Sequence, residues 1–201
     1  MAQIVDVFVD PTCPFAWLTS RWALNAAEVR DVRIRFQPMS LSVLNEGRDL
    51  DPDYMEAMRK AWGPARLQLA IDEQHGQDAF STWYTAWGTR FHVQDQKDDY
   101  RRVAVEALEE AGLPTDLADA MDTDTNDDAL RAAQKRAQDL VGDDVGTPVI
   151  SFGSGTAYFG PVLSRAPRGE EAGRLLDAMA TMAEINGFAE LKRKRDPLDF
   201  S

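Results

Sequence analysis

The sequence predicts an α/β fold in which an all-helical insertion interrupts a small mixed sheet. Three observations predict it. An apolar run (Ile4, Val5, Val7, Phe8, Val9) and an alternating run (Val32, Ile34 and Phe36 against Arg33 and Arg35) flank one helical segment. From residue 41 to 142 the apolar residues recur only at helical spacing. Strand signals then return at Val149.

The first strand, interrupted only by Asp6, reads as buried on both faces. A helix starts at Pro14, the favoured first helical position, and runs to about Val29 with Trp17, Leu18, Trp22 and Leu24 at helical spacing. Short connections make the second strand parallel to the first, with a right-handed crossover. Asp51-Pro52 reads as a cap and first-turn proline for a helix carrying Met55, Met58 and Trp62. Gly63-Pro64 is expected to end that helix, and another covers Pro64 to Gln74. Phe80, Trp83, Tyr84, Trp87 and Phe91 form an aromatic stripe, which helical spacing alone accounts for as core. The helix from Tyr100 stops at Gly112-Leu113-Pro114, a short helix follows Thr115, and a longer one covers Asn126 to Val141. Val149–Phe152 and Thr156–Phe159 make a hairpin about Gly153-Ser154-Gly155, and it joins the first sheet because four short strands cannot build two. A last helix covers Glu170 to Asn186, and the tail LKRKRDPLDFS reads as a solvated end. The expected division is 1–40, a helical insertion 41–142, and 143–201.

Composition excludes several functions. A net charge of −12 over 201 residues argues against nucleic acid and anionic membrane as partners. No apolar run approaches the ~20 residues that span a bilayer, and the start lacks a basic n-region, so a cytoplasmic location is expected. One cysteine forms no internal disulfide, and with two histidines it supplies no structural zinc set.

Chemistry therefore centres on Cys13, placed after a strand and before Pro14. Unpaired amides at a helix start stabilise a thiolate, and ligands of α/β sheets bind where a strand runs into a helix. The competing reading is a small buried hydrophobe. Gly146-Thr147-Pro148 opens the hairpin from the far side of the helical block, and a cis Thr147–Pro148 bond is the feature to look for. His75 meets a helix end; His92 either faces a pocket or caps a helix; Trp17 either shelters the sulfur or packs beneath the insertion. Asp143-Asp144 reads as a turn, and Lys192 to Arg195 as a solvated face.

Cys-Pro-X-X after strand one, a helical insertion and Thr-Pro before a hairpin resemble the thioredoxin-like fold of the DsbA superfamily. The stretches "DPTCPFAWLTSRW", "MSLSVLNEGRD", "AWGPARL", "GTRFH", "DVGTPVI", "YFGPVLSRAPRGEEAGRL" and "FAELKR" are similar to the actinobacterial mycothiol-dependent nitroreductases and span nearly the whole chain. Kappa-class glutathione transferases and hydroxychromene-carboxylate isomerases share that architecture but carry serine at the position of Cys13. The resemblance implies that Cys13 attacks as thiolate, with Pro14, Thr147 and a cis Pro148 completing the catalytic loop pair. It implies a mycothiol site lined by Asn45, Glu46, Arg48, Gly169, Glu170 and Glu171, without a metal. It also implies an acceptor pocket of Phe15, Trp17, Trp62, Tyr84 and His92.

One departure narrows the chemistry. The branch usually carries Cys-Pro-Trp-Cys, whereas this chain reads Cys13-Pro14-Phe15-Ala16. Without a resolving thiol an internal two-cysteine cycle is excluded, and a monothiol cycle through a mixed disulfide remains. The expected partners are a small thiol, an electrophilic or oxidant substrate and a redoxin. A thiol transferase or isomerase, and a binding protein without catalysis, stay open as alternatives.

Overall fold

The structure, a computed structural model, describes residues 2–153 and 155–201, so Ser154 of the expected hairpin turn lies outside the described residues. Four strands, β1 (Gln3–Val9), β2 (Val32–Pro38), β3 (Val149–Ser151) and β4 (Ala157–Phe159), form one sheet in the order β2-β1-β3-β4. β1 and β2 are parallel, while β3 runs antiparallel to both β1 and β4, as expected from the short β1–β2 connection and the hairpin. In this register Asp6 faces Arg35, and Nε and Nη2 of Arg35 each donate to the carboxylate at 2.8 Å.

Helices α1 (Pro14–Ala27) and α6 (Gly169–Ala183) pack together, joined where Trp22 Nε1 donates to the Ala172 carbonyl at 3.1 Å. Between β2 and β3 the chain is helical: α2 (Leu41–Leu44), α3 (Pro52–Gly88), a π-helical turn Thr89–Val93, α4 (Tyr100–Glu110), a 3₁₀ segment Thr115–Asp122 and α5 (Asp127–Val141). The aromatic stripe is core, with Phe80, Trp83, Tyr84 and Trp87 fully buried. A single apolar cluster joins these rings to Val5, Val7, Trp22 and Leu176.

Several boundaries obey their local signals. Asp51 accepts from the amides of Asp53 and Tyr54 and starts α3. Gly112, at φ +68°, ends α4; its amide donates to Glu109 and that of Leu113 to Leu108, which closes the free carbonyls.

Others differ. Gly63-Pro64 does not end a helix: Pro64 is buried inside α3. Gly63 serves close packing, since a Cβ there would stand 3.0 Å from Met121 Cε. The break falls at Gly76 (φ 81°, ψ −177°), a conformation that a side chain disfavours. Ile4 is 41% exposed, so β1 is buried on both faces only from Val7 onward. The tail is not simply a solvated end, because Phe200 folds back against the main cluster. Among the described residues no helix is long and apolar enough to cross a membrane.

Candidate active site around Cys13

The apolar β1 ends at Val9, Asp10 follows it, and α1 begins at Pro14. Asp10 is fully buried; its Oδ1 accepts from the amide and hydroxyl of Thr12, and its Oδ2 from the amide of Leu41, all at 2.7 Å. Burial pushes its carboxyl above the usual carboxylate range, against these donors. Its carbonyl accepts from the Cys13 amide at 3.1 Å. Asp10 thus ties the loop before Cys13 to the start of α2. The one local signal for this role is an Asp two residues before a Thr at a strand end, the pattern of such a turn.

The same loop is gripped from the helical block. The Pro11 carbonyl accepts from Trp87 Nε1 and meets His92 Nε2, each at 3.0 Å. The contact with a carbonyl assigns the proton of a neutral His92 to Nε2, and burial holds that imidazole down to about 4. Two members of the aromatic stretch therefore position the residues leading into Cys13.

Cys13 is the N-cap of α1, and its Sγ accepts from the Ala16 amide at 3.5 Å. The Thr147 carbonyl stands 3.5 Å from the sulfur on the other side, and the Thr147–Pro148 bond is cis. The Thr147 hydroxyl is buried with no hydrogen-bond partner, and as a potential donor near the sulfur it favours thiolate. Burial outweighs these donors: Cys13 is 4% exposed and its thiol is pushed up to about 11. This corrects the expectation of a sulfur held ionised by the helix start. Amide donors act in the expected sense, but loss of water around the anion is the larger effect.

The structure brings some expected residues together and separates others. Cys13, Pro14, Thr147 and Pro148 meet at one point. Trp17 stacks on His92 (5.8 Å, 21°), meets Tyr84 edge-on (5.9 Å) and carries the Arg21 guanidinium 4.1 Å from its centroid. Gly88 makes room for that ring, since a side chain there would collide with it. Phe15 is half-buried and packs against the main apolar cluster. Trp62 is not part of it; it packs with Ala65, Leu69 and Leu130, under Arg66 and Arg131.

The residues expected around the thiol also divide. Asn45 is buried, with its amide on the Leu41 carbonyl, and Glu46 is held by Arg131 at 2.8 Å, while Arg48 is exposed. Gly169 and Glu170 lie elsewhere. The Pro167 carbonyl accepts from Asn25, near the far end of α1, about 18 Å along the helix from Cys13. Glu170 is taken up there by Arg30 at 2.7 Å, and Glu171 by Arg165 at 2.6 Å.

Comparison with known proteins identifies the family and the fold. A family model described as "Rv2466c-like: Mycothiol-dependent nitroreductase Rv2466c" matches residues 12–193. The Mycobacterium tuberculosis protein Rv2286c is 29% identical over 196 residues, covering 97% of this chain and 84% of that protein. Among solved structures, a probable DsbA oxidoreductase from Streptomyces coelicolor superposes with TM-score 0.60 at 16% identity, covering 96% of this chain and 94% of that one. The cytosolic disulfide reductase DsbM from Pseudomonas aeruginosa gives 0.55 at 20%, covering 89% and 99%. At such identities the likeness shows the DsbA-like thioredoxin fold.

Proposed function

We propose that this chain, which belongs to the Rv2466c-like family of mycothiol-dependent nitroreductases, is a thiol oxidoreductase working through one sulfur, Cys13, and a mixed disulfide with mycothiol. The observation that carries the reading is the N-cap position of Cys13 between the Ala16 amide and Thr147. Ala16 supplies a backbone donor where the branch carries a second thiol.

The chemistry then needs an external thiol at both steps. With a nitro acceptor, Cys13 and one mycothiol give up two electrons and two protons. The products are the mixed disulfide, a nitroso compound and water. With a peroxide, Cys13 is first oxidised to the sulfenic acid, and mycothiol condenses with it as water leaves. A second mycothiol thiolate then attacks the mycothiol sulfur, and Cys13 departs as thiolate with mycothiol disulfide as product. Ala16 N–H and the Thr147 hydroxyl stabilise that leaving thiolate. Asn45 and the exposed Arg48 border the side from which mycothiol approaches. The buried Trp17, Tyr84 and His92 support the acceptor side.

Intact mass after mild oxidant plus mycothiol tests the reading. One mycothiol adduct is expected on the parent and none on Cys13→Ser. Absence of the adduct on the parent, or thiol conjugation that survives Cys13→Ser, overturns it; the second result favours the transferase alternative.

A further inference from the structure

We propose that the segment Arg195–Phe200 is a resident strap over the acceptor side of the site, with Phe200 filling a ring slot on His92 that a planar acceptor must take over. The inference rests on the reading of Cys13 as the reacting group. Phe200 stacks on His92 with centroids 6.2 Å apart and planes 19° apart. The other stacked neighbour of His92 is Trp17, so three rings lie in series from the core to the tail. Arg195 sets its guanidinium 4.9 Å from the Phe15 centroid. The strap thus rests on Phe15, two residues after Cys13, and on His92, which grips Pro11, two residues before it.

Few contacts hold it. The Asp199 amide donates to the Ser164 carbonyl at 2.7 Å, and the Ser164 hydroxyl to the Asp196 carbonyl at 3.0 Å. No helix or strand follows Ala183 among the described residues, and residues 189–199 are exposed. Arg193 stands 4.0 Å from Asp196, and Arg168 Nη2 donates to the Ser201 carbonyl at 3.3 Å just beyond Phe200; both contacts are solvent-exposed. A segment held by so few contacts, most of them at the surface, opens locally without unfolding the core. A planar ring arriving at His92 replaces one aromatic pair with another, so the exchange is close to balanced.

Alkylation of the single thiol reads the strap directly. At fixed pH, Phe200→Ala is expected to raise the iodoacetamide rate about three- to tenfold, the range that loss of one aromatic pair allows. Arg195→Ala changes an exposed side chain and should raise it about twofold or more. Phe200→Trp, which restores a ring, should return the parent rate. N-phenylmaleimide should gain more from Phe200→Ala than N-ethylmaleimide does; equal gains overturn the ring slot. Rates unchanged in both alanine variants overturn the strap. Should Phe200→Ala fail to fold, an unchanged rate in Arg195→Ala alone overturns it. The mycothiol adduct separates the two ideas. An adduct with unchanged alkylation removes the strap alone, whereas faster alkylation without an adduct keeps the strap and removes the oxidoreductase reading.

Discussion

The sulfur of Cys13 lies 3.5 Å from the carbonyl oxygen of Thr147, a residue 134 positions further along the chain. The sheet makes this meeting: β3 pairs antiparallel with β1 so that Phe8 faces Val149, which carries Thr147 to the end of β1 where Cys13 begins α1. The two protonation states of the sulfur use Thr147 differently. A thiol donates to the carbonyl. A thiolate cannot; it keeps the Ala16 amide as donor, and the unpartnered Thr147 hydroxyl is free to turn toward it.

Thr147→Val tests the hydroxyl. Valine keeps the shape and the carbonyl but deletes the donor. A hydrogen bond to a charged group contributes about 1.5–3 kcal/mol. The iodoacetamide rate of Cys13 at a given pH is therefore expected to fall about tenfold or more, with Thr147→Ser close to the parent. An equal rate in the valine variant removes Thr147 from the thiolate shell.

Burial of the thiol links it to stability on the alkaline side. The unfolded sulfur ionises near its ordinary 9.0, the folded one near 11. The fold therefore favours the protonated form. Its contribution is complete below about pH 9 and is lost as pH rises toward 11. The full swing is at most about 3 kcal/mol. Urea unfolding at pH 7.5, 9 and 10.5 should show the parent losing more stability than Cys13→Ala, because other groups titrate in both. Parallel losses would mean that the sulfur is hydrated in the folded state.

How much of this was legible follows from the range of each signal. Cys13 at the cap of α1, Pro14 behind it, the stop at Gly112 and the strand after Thr147-Pro148 are written in neighbouring residues, and the structure repeats them. The exposure of Cys13 was not legible. Helix-start amides give the sign of one contribution, but desolvation depends on what packs over the sulfur from distant segments. Arg195 lies 180 residues from Phe15, and Phe200 lies 108 from His92 (differences of their sequence numbers), so no local period announces the strap. A run of four basic residues there reads as solvated face. The family resemblance puts Trp62 on the acceptor side; its partner Leu130 comes from α5, which no pattern near Trp62 reveals. Glu170 went astray in the same way, since Arg30 claims it.

Gly88 shows a helix glycine retained for space. Replacing it with alanine gains about 1 kcal/mol of helix propensity. The new Cβ would meet the six-membered ring of Trp17, which His92, Tyr84 and Arg21 hold in place. Overpacking of this kind costs about 1–3 kcal/mol or more, and the collision wins. Gly88→Ala should lower the thermal midpoint by several degrees, on the order of 2–4 °C per kcal/mol at this size. It should also change the near-UV circular dichroism. A midpoint at or above the parent's would show that Trp17 moves freely.

His92 sets the acid limit of the same assembly. It is 6% exposed, stacked between Trp17 and Phe200, and burial holds its pKa near 4 where the unfolded chain has about 6.5. Between these values the unfolded chain binds a proton that the folded one refuses, so stability falls as pH drops from about 6.5 to 4 and levels below that. The full swing is on the order of 3 kcal/mol. Glutamine retains a donor for the Pro11 carbonyl and does not titrate. Between pH 7 and 4 the parent should therefore lose on the order of 3 kcal/mol more than His92→Gln in urea unfolding, the carboxylates titrating alike in both. Curves that stay parallel across that window would mean that the imidazole is hydrated in the folded protein and does not share the closed stack.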